Sequence, residues 1–207
     1  MKKRLLLALT CLLILGIGYY IQQKNPTGTG NIVPQRPEQP VLITPIVPDQ
    51  KALKEKKASQ NISSPPVKME FLHPQVTVDI LPVGLDSEGR MNVKDGLEIA
   101  SWYKQSAIPG NKGNTLLAGH RDWNGELGPF QYLETIEKNE KILIQYENKE
   151  SRLFQVVEKQ EYPVNEVPTS VMDIQEGTRV TLITCTGKFI REKGGYQSRV
   201  IVTLRLV

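Results

Sequence analysis

The stretch Arg179-Val-Thr-Leu-Ile-Thr-Cys185-Thr-Gly187 decides how the rest of this chain is interpreted. β-Branched and apolar residues run up to Cys185 and give way to the turn residues Thr186-Gly187, so the pattern predicts a strand that ends at a cysteine. A second run of the same kind occupies residues 198–206 and opens with Ser198-Arg199. If the two strands form a hairpin, Cys185 and Arg199 face each other across the mouth of the loop between them.

Cys185 is the lone thiol of the part of the chain that is predicted to be soluble. The second cysteine, Cys11, lies inside an N-terminal apolar run. The two therefore do not pair, and the sequence excludes a disulfide framework and a cysteine-rich zinc site. A free thiol is mostly protonated at neutral pH, so a nucleophilic cysteine needs a base or a positive neighbour. A buried structural cysteine is the alternative interpretation.

The chain contains two histidines, His73 and His120. His120 follows the apolar run Thr115-Leu-Leu-Ala-Gly119, and a strand end is a common place for a site residue. His73 precedes Pro74 at the predicted edge of the domain, where a surface role is expected. His120 is therefore the candidate base, and a hydrogen-bonded loop histidine is the alternative.

Other polar residues near these two motifs have competing interpretations. Arg199 offers a fixed cation with several N–H donors, which can stabilise the oxyanion formed when a thiolate attacks a carbonyl. Arg191, in the loop before it, is the rival candidate for that role. Asp122 either orients His120 or is an ordinary turn residue. Thr184 either supports the site through its hydroxyl or is an ordinary strand residue.

The sequence divides into three parts. Residues 1–21 begin with the basic cluster Lys2-Lys-Arg4 and continue as an apolar run, which predicts an uncleaved signal-anchor helix with the remainder of the chain outside the cytoplasm. A cleaved signal peptide is the alternative. Residues 22–71 contain 8 of the 14 prolines and are predicted to be a linker that catalysis does not need.

Residues 72–207 are predicted to be the folded catalytic domain. Short apolar runs separated by turn signals predict a mostly-β fold, either a closed barrel or a sandwich. Brief helices are predicted at 97–103 and 129–136, because apolar residues recur there at helical spacing.

Charge and acidic residues exclude several classes of function. A net charge of +4, without basic runs that interleave with aromatic residues, argues against a nucleic-acid partner. The acidic residues of the C-terminal half match no calcium loop, so solvated charge is expected and no metal or cofactor is predicted. Those residues are Glu158, Glu161, Glu166 and Asp173.

Two of these motifs carry a specific resemblance. Leu182-Ile-Thr-Cys185 resembles the cysteine signature of the sortases, and Leu117-Ala-Gly-His120 resembles their histidine motif. Arg199 opens a strand as it does in that family, and the order His, Cys, Arg is also similar. Other segments look like class F sortases of Gram-positive bacteria, although class D sortases share the core motifs. Those segments are Pro82-Val-Gly-Leu-Asp86, Trp102-Tyr103, Ser106-Ala-Ile-Pro-Gly110 and Gly128-Pro-Phe130 with Leu133.

The resemblance covers residue 72 to the end of the chain and implies a closed barrel of about eight strands with short helices. It implies that His120, Cys185 and Arg199 line one groove. It also implies a cysteine transpeptidase that cleaves a Leu-Pro-x-Thr-Gly-like sorting motif of surface proteins, forms a thioester, and passes the acyl group to an amine of a peptidoglycan precursor or pilin. The expected location is the cell membrane, through one N-terminal helix. A thiol peptidase that releases surface proteins, or a non-catalytic membrane-tethered barrel, remain the alternatives.

Overall fold

A computed structural model of the protein describes residues 61–207. The predicted signal-anchor helix at 1–21 and most of the predicted linker at 22–71 lie outside the described residues. In the range 61–207, no helix has both the length and the apolar character that are needed to cross a membrane.

The described chain is built mainly from strands. Its strands, in chain order, are β1 (Pro66–Phe71), β2 (Val76–Val83), β3 (Ile99–Tyr103), β4 (Gly113–Ala118), β5 (Asp122–Trp123), β6 (Glu126–Leu127), β7 (Lys141–Tyr146), β8 (Ser151–Pro163), β9 (Thr178–Ile190) and β10 (Gly195–Leu206). Short helices interrupt them, and these are 3₁₀ turns at Pro129–Glu134 and Arg191–Lys193 and one α-helical turn at Thr169–Met172.

Eight of these strands close into a barrel in the order β1-β2-β3-β4-β9-β10-β8-β7, while β5 and β6 form a separate two-stranded ribbon. β2 with β3 and β4 with β9 are parallel pairs, and the other neighbours in the barrel are antiparallel. The mostly-β closed barrel of eight strands predicted from the sequence is therefore confirmed.

Alternation along β9 and β10 separates a core face from an outer face. Val180 and Leu182 on β9, and Val202 and Leu204 on β10, are fully buried. Each such side chain contributes roughly 1.5–3 kcal/mol when it leaves water. Because side chains alternate between the two faces of a strand, Cys185 and Arg199 project from the outer face of the barrel.

The barrel begins earlier than the predicted boundary at residue 72. β1 pairs with β2 on one side and β7 on the other, and it buries Met69 and Phe71 completely. Ahead of it, the backbone N–H of Ile62 donates to Asn111 Oδ1 at 2.8 Å, and Asn111 Nδ2 donates to the Ile62 carbonyl at 2.7 Å. The prolines next to β1 make this segment look like a linker, whereas the structure places Pro66–Phe71 in the barrel, so the predicted domain start at residue 72 is too late. That catalysis does not need residues 22–71 stays a prediction.

The predicted brief helix at 97–103 is also wrong, because residues 99–103 form β3. This strand is central, with parallel pairing to β2 and antiparallel pairing to β4. Ala100 and Trp102 alternate into the core, so tertiary pairing overrides the helical spacing. The predicted helical segment at 129–136 is present as the 3₁₀ helix Pro129–Glu134, which buries Phe130 and Leu133.

Candidate active site

His120, Cys185 and Arg199 line the same cleft, which has a volume of about 470 Å³. They come from three neighbouring parts of the barrel, since His120 follows β4, Cys185 lies on β9 and Arg199 lies on β10. Around them, the cleft is lined by Arg121, Asp122, Trp123, Asn124, Phe189 and Tyr196.

The parallel pairing of β4 with β9 places the chain that leads to His120 beside the strand that contains Cys185. Ala118 lies opposite Ile183 in this pair, and the ladder continues through the Gly119 N–H, which donates to the Ile183 carbonyl at 3.2 Å. Thr184 is buried, and its hydroxyl donates to the Gly119 carbonyl at 2.8 Å. The Thr184 hydroxyl, which was considered as a support for the site, therefore binds the residue before His120.

Gly119 has a packing role. A Cβ atom at this position would lie 2.4 Å from Cδ2 of Phe130. Only glycine lets the buried ring of the 3₁₀ helix Pro129–Glu134 approach the chain just before His120. This residue therefore sets the spacing between that helix and the cleft.

Cys185 and Arg199 are directly opposite each other in the β9–β10 pair, as the predicted hairpin requires. The pair does not lie at the mouth of the loop, however. Past an irregularity between Tyr196 and Ser198, pairing resumes and runs on to Ile190 and Gly195. Cys185 and Arg199 therefore lie within the ladder, where two strands fix their backbones.

Burial and charge act in opposite directions on the thiol. Burial raises the pKa of Cys185 above its ordinary value, the nearby Arg199 guanidinium lowers the pKa, and the Asp122 carboxylate raises it. The net effect is a raised pKa, because burial outweighs the cation. The cation is itself anchored, because Arg199 Nη1 donates to the carbonyls of Tyr196 at 3.0 Å and Ser198 at 2.9 Å.

His120 packs against an aromatic residue that the sequence analysis did not single out. Its ring centroid lies 4.7 Å from that of Trp123, with the planes tilted by 37°. Its Nε2 is buried and has no hydrogen-bond partner within residues 61–207. No side chain or backbone group of this part of the chain therefore occupies that nitrogen.

Asp122 has partners other than His120. The Tyr196 hydroxyl donates to Asp122 Oδ1 at 2.6 Å, and Arg121 Nη1 lies 3.6 Å from the same oxygen. The hydrogen bond to Asp122 is the main reason that the pKa of Tyr196 is raised. Asp122 lies on β5, and its carboxylate accepts a hydrogen bond from Tyr196 on β10. Among residues 61–207, neither the contact to His120 nor the turn considered for Asp122 is observed.

A second set of residues that the sequence analysis missed flanks the site. Glu134 Oε1 accepts hydrogen bonds from Arg121 Nε at 2.8 Å and from the Thr186 hydroxyl at 2.5 Å. We call Arg121, Glu134 and Thr186 the Glu134 clamp. They are separated by 13 and 52 positions, so no local pattern in the sequence connects them.

The rival candidates lie elsewhere. Arg191 is exposed on the 3₁₀ turn Arg191–Lys193 and is not among the residues that line the cleft. His73 is exposed in the turn between β1 and β2, where it borders a different cavity together with Tyr132 and Glu137. One cleft therefore holds a thiol, an imidazole and a guanidinium, a set that is capable of nucleophilic acyl transfer.

Comparison with known proteins agrees with this architecture. A family model described as "Sortase domain" matches residues 74–207. No curated protein matches the chain. Among solved structures, sortase A of Listeria monocytogenes is 21% identical with a TM-score of 0.52, and the match covers 70% of this chain and 88% of that one.

Two sortase C structures are similar to the same degree. The pilus-related sortase C of Group B Streptococcus is 18% identical with a TM-score of 0.51, covering 71% of this chain and 69% of that one. Sortase C-1 of Actinomyces oris is 19% identical with a TM-score of 0.50, covering 84% of this chain and 82% of that one. At these identities the likeness concerns the fold.

Proposed function

This chain belongs to the sortase family of cysteine transpeptidases, and on that premise we propose that it cleaves a Leu-Pro-x-Thr-Gly-like sorting motif and transfers the acyl group to an amine of the cell envelope. The observation that carries the proposal is the meeting of His120, Cys185 and Arg199 in one cleft. Cys185 is the proposed nucleophile, His120 the acid and base, and Arg199 the oxyanion donor.

The reaction divides into two acyl transfers. In the first, His120 takes the proton of the Cys185 thiol as the sulfur bonds to the threonine carbonyl carbon, and the guanidinium of Arg199 stabilises the oxyanion. The C–N bond then breaks as His120 gives a proton to the departing glycine amine, which leaves a thioester. In the second, an incoming amine attacks that thioester and His120 takes its proton. The sulfur leaves as a thiolate, which regains a proton from His120.

The outer face of the barrel supports an extended peptide as the substrate. Thr181 on β9, and Ile201 and Thr203 on β10, border a cavity of about 320 Å³. By strand alternation they project from the same face as Cys185 and Arg199. A peptide that lies in this cavity, parallel to the strands, would present its scissile bond at the thiol. The rest of the cavity wall includes Tyr162, Val171 and Arg205.

Sequence segments support a proposal for the class and the location of the protein. We assign the chain to class F, with class D as the alternative, because of segments such as Pro82-Val-Gly-Leu-Asp86 and Ser106-Ala-Ile-Pro-Gly110. The basic and apolar residues of 1–21 support a single-pass membrane protein whose catalytic domain faces outward. Its proposed partners are surface proteins that carry a C-terminal sorting signal, and a peptidoglycan precursor or another amine as acceptor.

Mass spectrometry of the purified full chain tests the proposed function. Incubation with a Leu-Pro-x-Thr-Gly peptide should add the mass of the acyl fragment to the peptide that contains Cys185. Added amine should divert the thioester from hydrolysis to the amide product, while Cys185→Ala should yield neither adduct nor product. Cleavage that persists in Cys185→Ala, or an adduct on any other residue, would show that the proposed nucleophile is wrong.

A further inference from the structure

The Glu134 clamp joins the two chain segments that carry the proposed base and nucleophile. Arg121 directly follows His120, and Thr186 directly follows Cys185. Glu134 Oε1 accepts from Arg121 Nε at 2.8 Å and from the Thr186 hydroxyl at 2.5 Å, and Glu134 Oε2 accepts from Arg121 Nη2 at 3.3 Å. One carboxylate therefore holds both segments, which come from parts of the chain that are far apart in sequence.

The Glu134 carboxylate belongs to a helix that is packed into the core. Glu134 is the last residue of the 3₁₀ helix Pro129–Glu134, whose Phe130 and Leu133 are completely buried. Phe130 also packs against Gly119, so the helix touches the chain on the other side of His120 as well. A shift of Glu134 relative to the barrel would require this packing to break.

Charge strengthens the clamp. Burial raises the pKa of Glu134, but hydrogen bonds from Arg121 and Thr186 outweigh that effect and hold the pKa below its ordinary value. The Arg121 pKa is correspondingly raised, chiefly by its hydrogen bond to Glu134. The clamp therefore consists of the Arg121–Glu134 ion pair and a hydrogen bond from the Thr186 hydroxyl to the same carboxylate. Such charge-assisted hydrogen bonds are stronger than those between neutral groups.

The clamp also reaches the strand of the proposed oxyanion donor. The Arg121 guanidinium lies 5.5 Å from the ring centroid of Tyr196 on β10. The carbonyl of Tyr196 accepts a hydrogen bond from Arg199 Nη1 at 3.0 Å. Contacts from one carboxylate thus extend to the segments of all three proposed catalytic residues, although no member of the clamp is proposed to react.

We propose that Glu134 is a positioning residue, which fixes the distance between the His120 imidazole and the Cys185 thiol by holding Arg121 and Thr186 together. This inference rests on the proposed function, since it assigns the clamp a role in the reaction. A misplacement of 1 Å can cost ~10²-fold in rate, so loosening the clamp is expected to lower turnover without changing which groups are present.

Two variants open the clamp in different ways. Glu134→Gln keeps the shape but removes the charge, and Thr186→Val removes one hydroxyl without changing any charge. Thr186→Ser restores the hydroxyl and should recover most of the turnover. Glu137→Gln, three residues beyond Glu134 and exposed, is the matched control.

The expected result in the full chain is a kcat that falls about 10- to 100-fold in Glu134→Gln and Thr186→Val, with KM for the sorting-motif peptide nearly unchanged. The loss in the double variant should be smaller than the product of the two single losses, because the two changes act on hydrogen bonds that share Glu134 Oε1. Iodoacetamide alkylation, followed on the Cys185 peptide by mass spectrometry so that Cys11 does not interfere, should become faster at a fixed pH. The thiol loses part of the burial that raises its pKa, so turnover and thiol reactivity should move in opposite directions.

Three outcomes would overturn the positioning role. In the first, both variants have the kcat and the alkylation rate of the wild type. In the second, the loss of kcat is no larger than the unfolded fraction that circular dichroism measures. The third is an equal loss in Glu137→Gln. Failure of the proposed function looks different, since the wild-type chain itself would then process no peptide. In that case the alkylation rates of Cys185 in the same variants still decide whether the clamp positions the thiol.

Discussion

The Thr184 hydroxyl donates a 2.8 Å hydrogen bond to the Gly119 carbonyl, and this bond joins the residue before Cys185 to the residue before His120. The Glu134 clamp joins the residues that follow them, Arg121 and Thr186. The two chain segments of the proposed site are thus tied together on both sides of the reacting residues. Side-chain bonds, in addition to the β4–β9 ladder, maintain their spacing.

Thr184→Val should lower the free energy of unfolding by about 1–3 kcal/mol, because it leaves the buried Gly119 carbonyl without its side-chain donor. Thr184→Ser keeps a hydroxyl and should lose less. Thr178→Val, at an exposed position of the same strand, is the control and should change stability by less than about 0.5 kcal/mol. Urea titration checks this, and equal midpoints for Thr184→Val and Thr178→Val would mean that the bond contributes nothing.

Arg199→Lys should lower kcat/KM by about 10²–10³-fold, because lysine keeps the charge but loses the planar set of N–H donors. Arg191→Lys should leave kcat/KM close to that of the wild type, since Arg191 is exposed and does not line the cleft. Steady-state kinetics with a sorting-motif peptide measures both. The reverse pattern would make the loop residue the oxyanion donor.

A chain that begins at Leu72 should fail to fold, whereas one that begins at Asn61 should unfold cooperatively. The shorter chain lacks β1, so β2 and β7 lose the strand that closes the barrel between them. Thermal unfolding followed by near-ultraviolet circular dichroism distinguishes the two. Asn111→Ala in the longer chain should lower its midpoint, because two hydrogen bonds to Ile62 are lost. A cooperative transition in the shorter chain at the same midpoint would show that β1 is dispensable.

Alkylation of Cys185 should speed up as pH rises, through a pKa above that of an ordinary thiol, because burial disfavours the thiolate. Arg199→Gln removes the cation that lowers this pKa, so the thiolate fraction at a given pH should fall. Asp122→Asn removes a carboxylate that raises the pKa, so that fraction should increase. Iodoacetamide rates measured across a pH series test the order Asp122→Asn, wild type, Arg199→Gln. Any other order contradicts the assigned electrostatics.

Glu134 should contribute to stability only above the acid range. Its pKa in the folded protein is lower than the ordinary value of 4.5, so its contribution is fully present above 4.5 and is lost as pH falls through the folded-state pKa. The stability difference between wild type and Glu134→Gln should therefore be largest near neutrality and shrink in acid. Urea midpoints at several pH values measure it, and a difference that grows in acid would have the wrong sign.

Much of the barrel was predictable because its strands have strong local signals. The pairing of Cys185 with Arg199 followed from two apolar runs that are neighbours in the sequence and form a hairpin. β1 was missed because prolines dominate the residues before it. β3 was missed because its short apolar run fits a helix as well as a strand, and only its two neighbours decide between them.

The core of the site was predictable for a similar reason, whereas its supports were not. His120 and Cys185 each end or follow an apolar run, which marks them individually. Glu134 lies in a segment whose apolar spacing gave no sign of a role for its carboxylate. Its partners become visible only when the 3₁₀ helix, β9 and the chain after β4 are placed together in space.

The parallel pairing of β4 with β9 also determines when the site comes into existence as the chain folds. Gly113 lies opposite Thr178, so the first contact of this ladder brings together two residues that are more than sixty positions apart in the sequence. Pairings of such long range are slow to form, and β10 lies between β8 and β9, so Arg199 reaches its place only when the last strand has paired. A chain whose last strand has yet to emerge during synthesis therefore has a cysteine but no cation beside it. Cys185 therefore gains its neighbouring cation only when β10 completes the barrel.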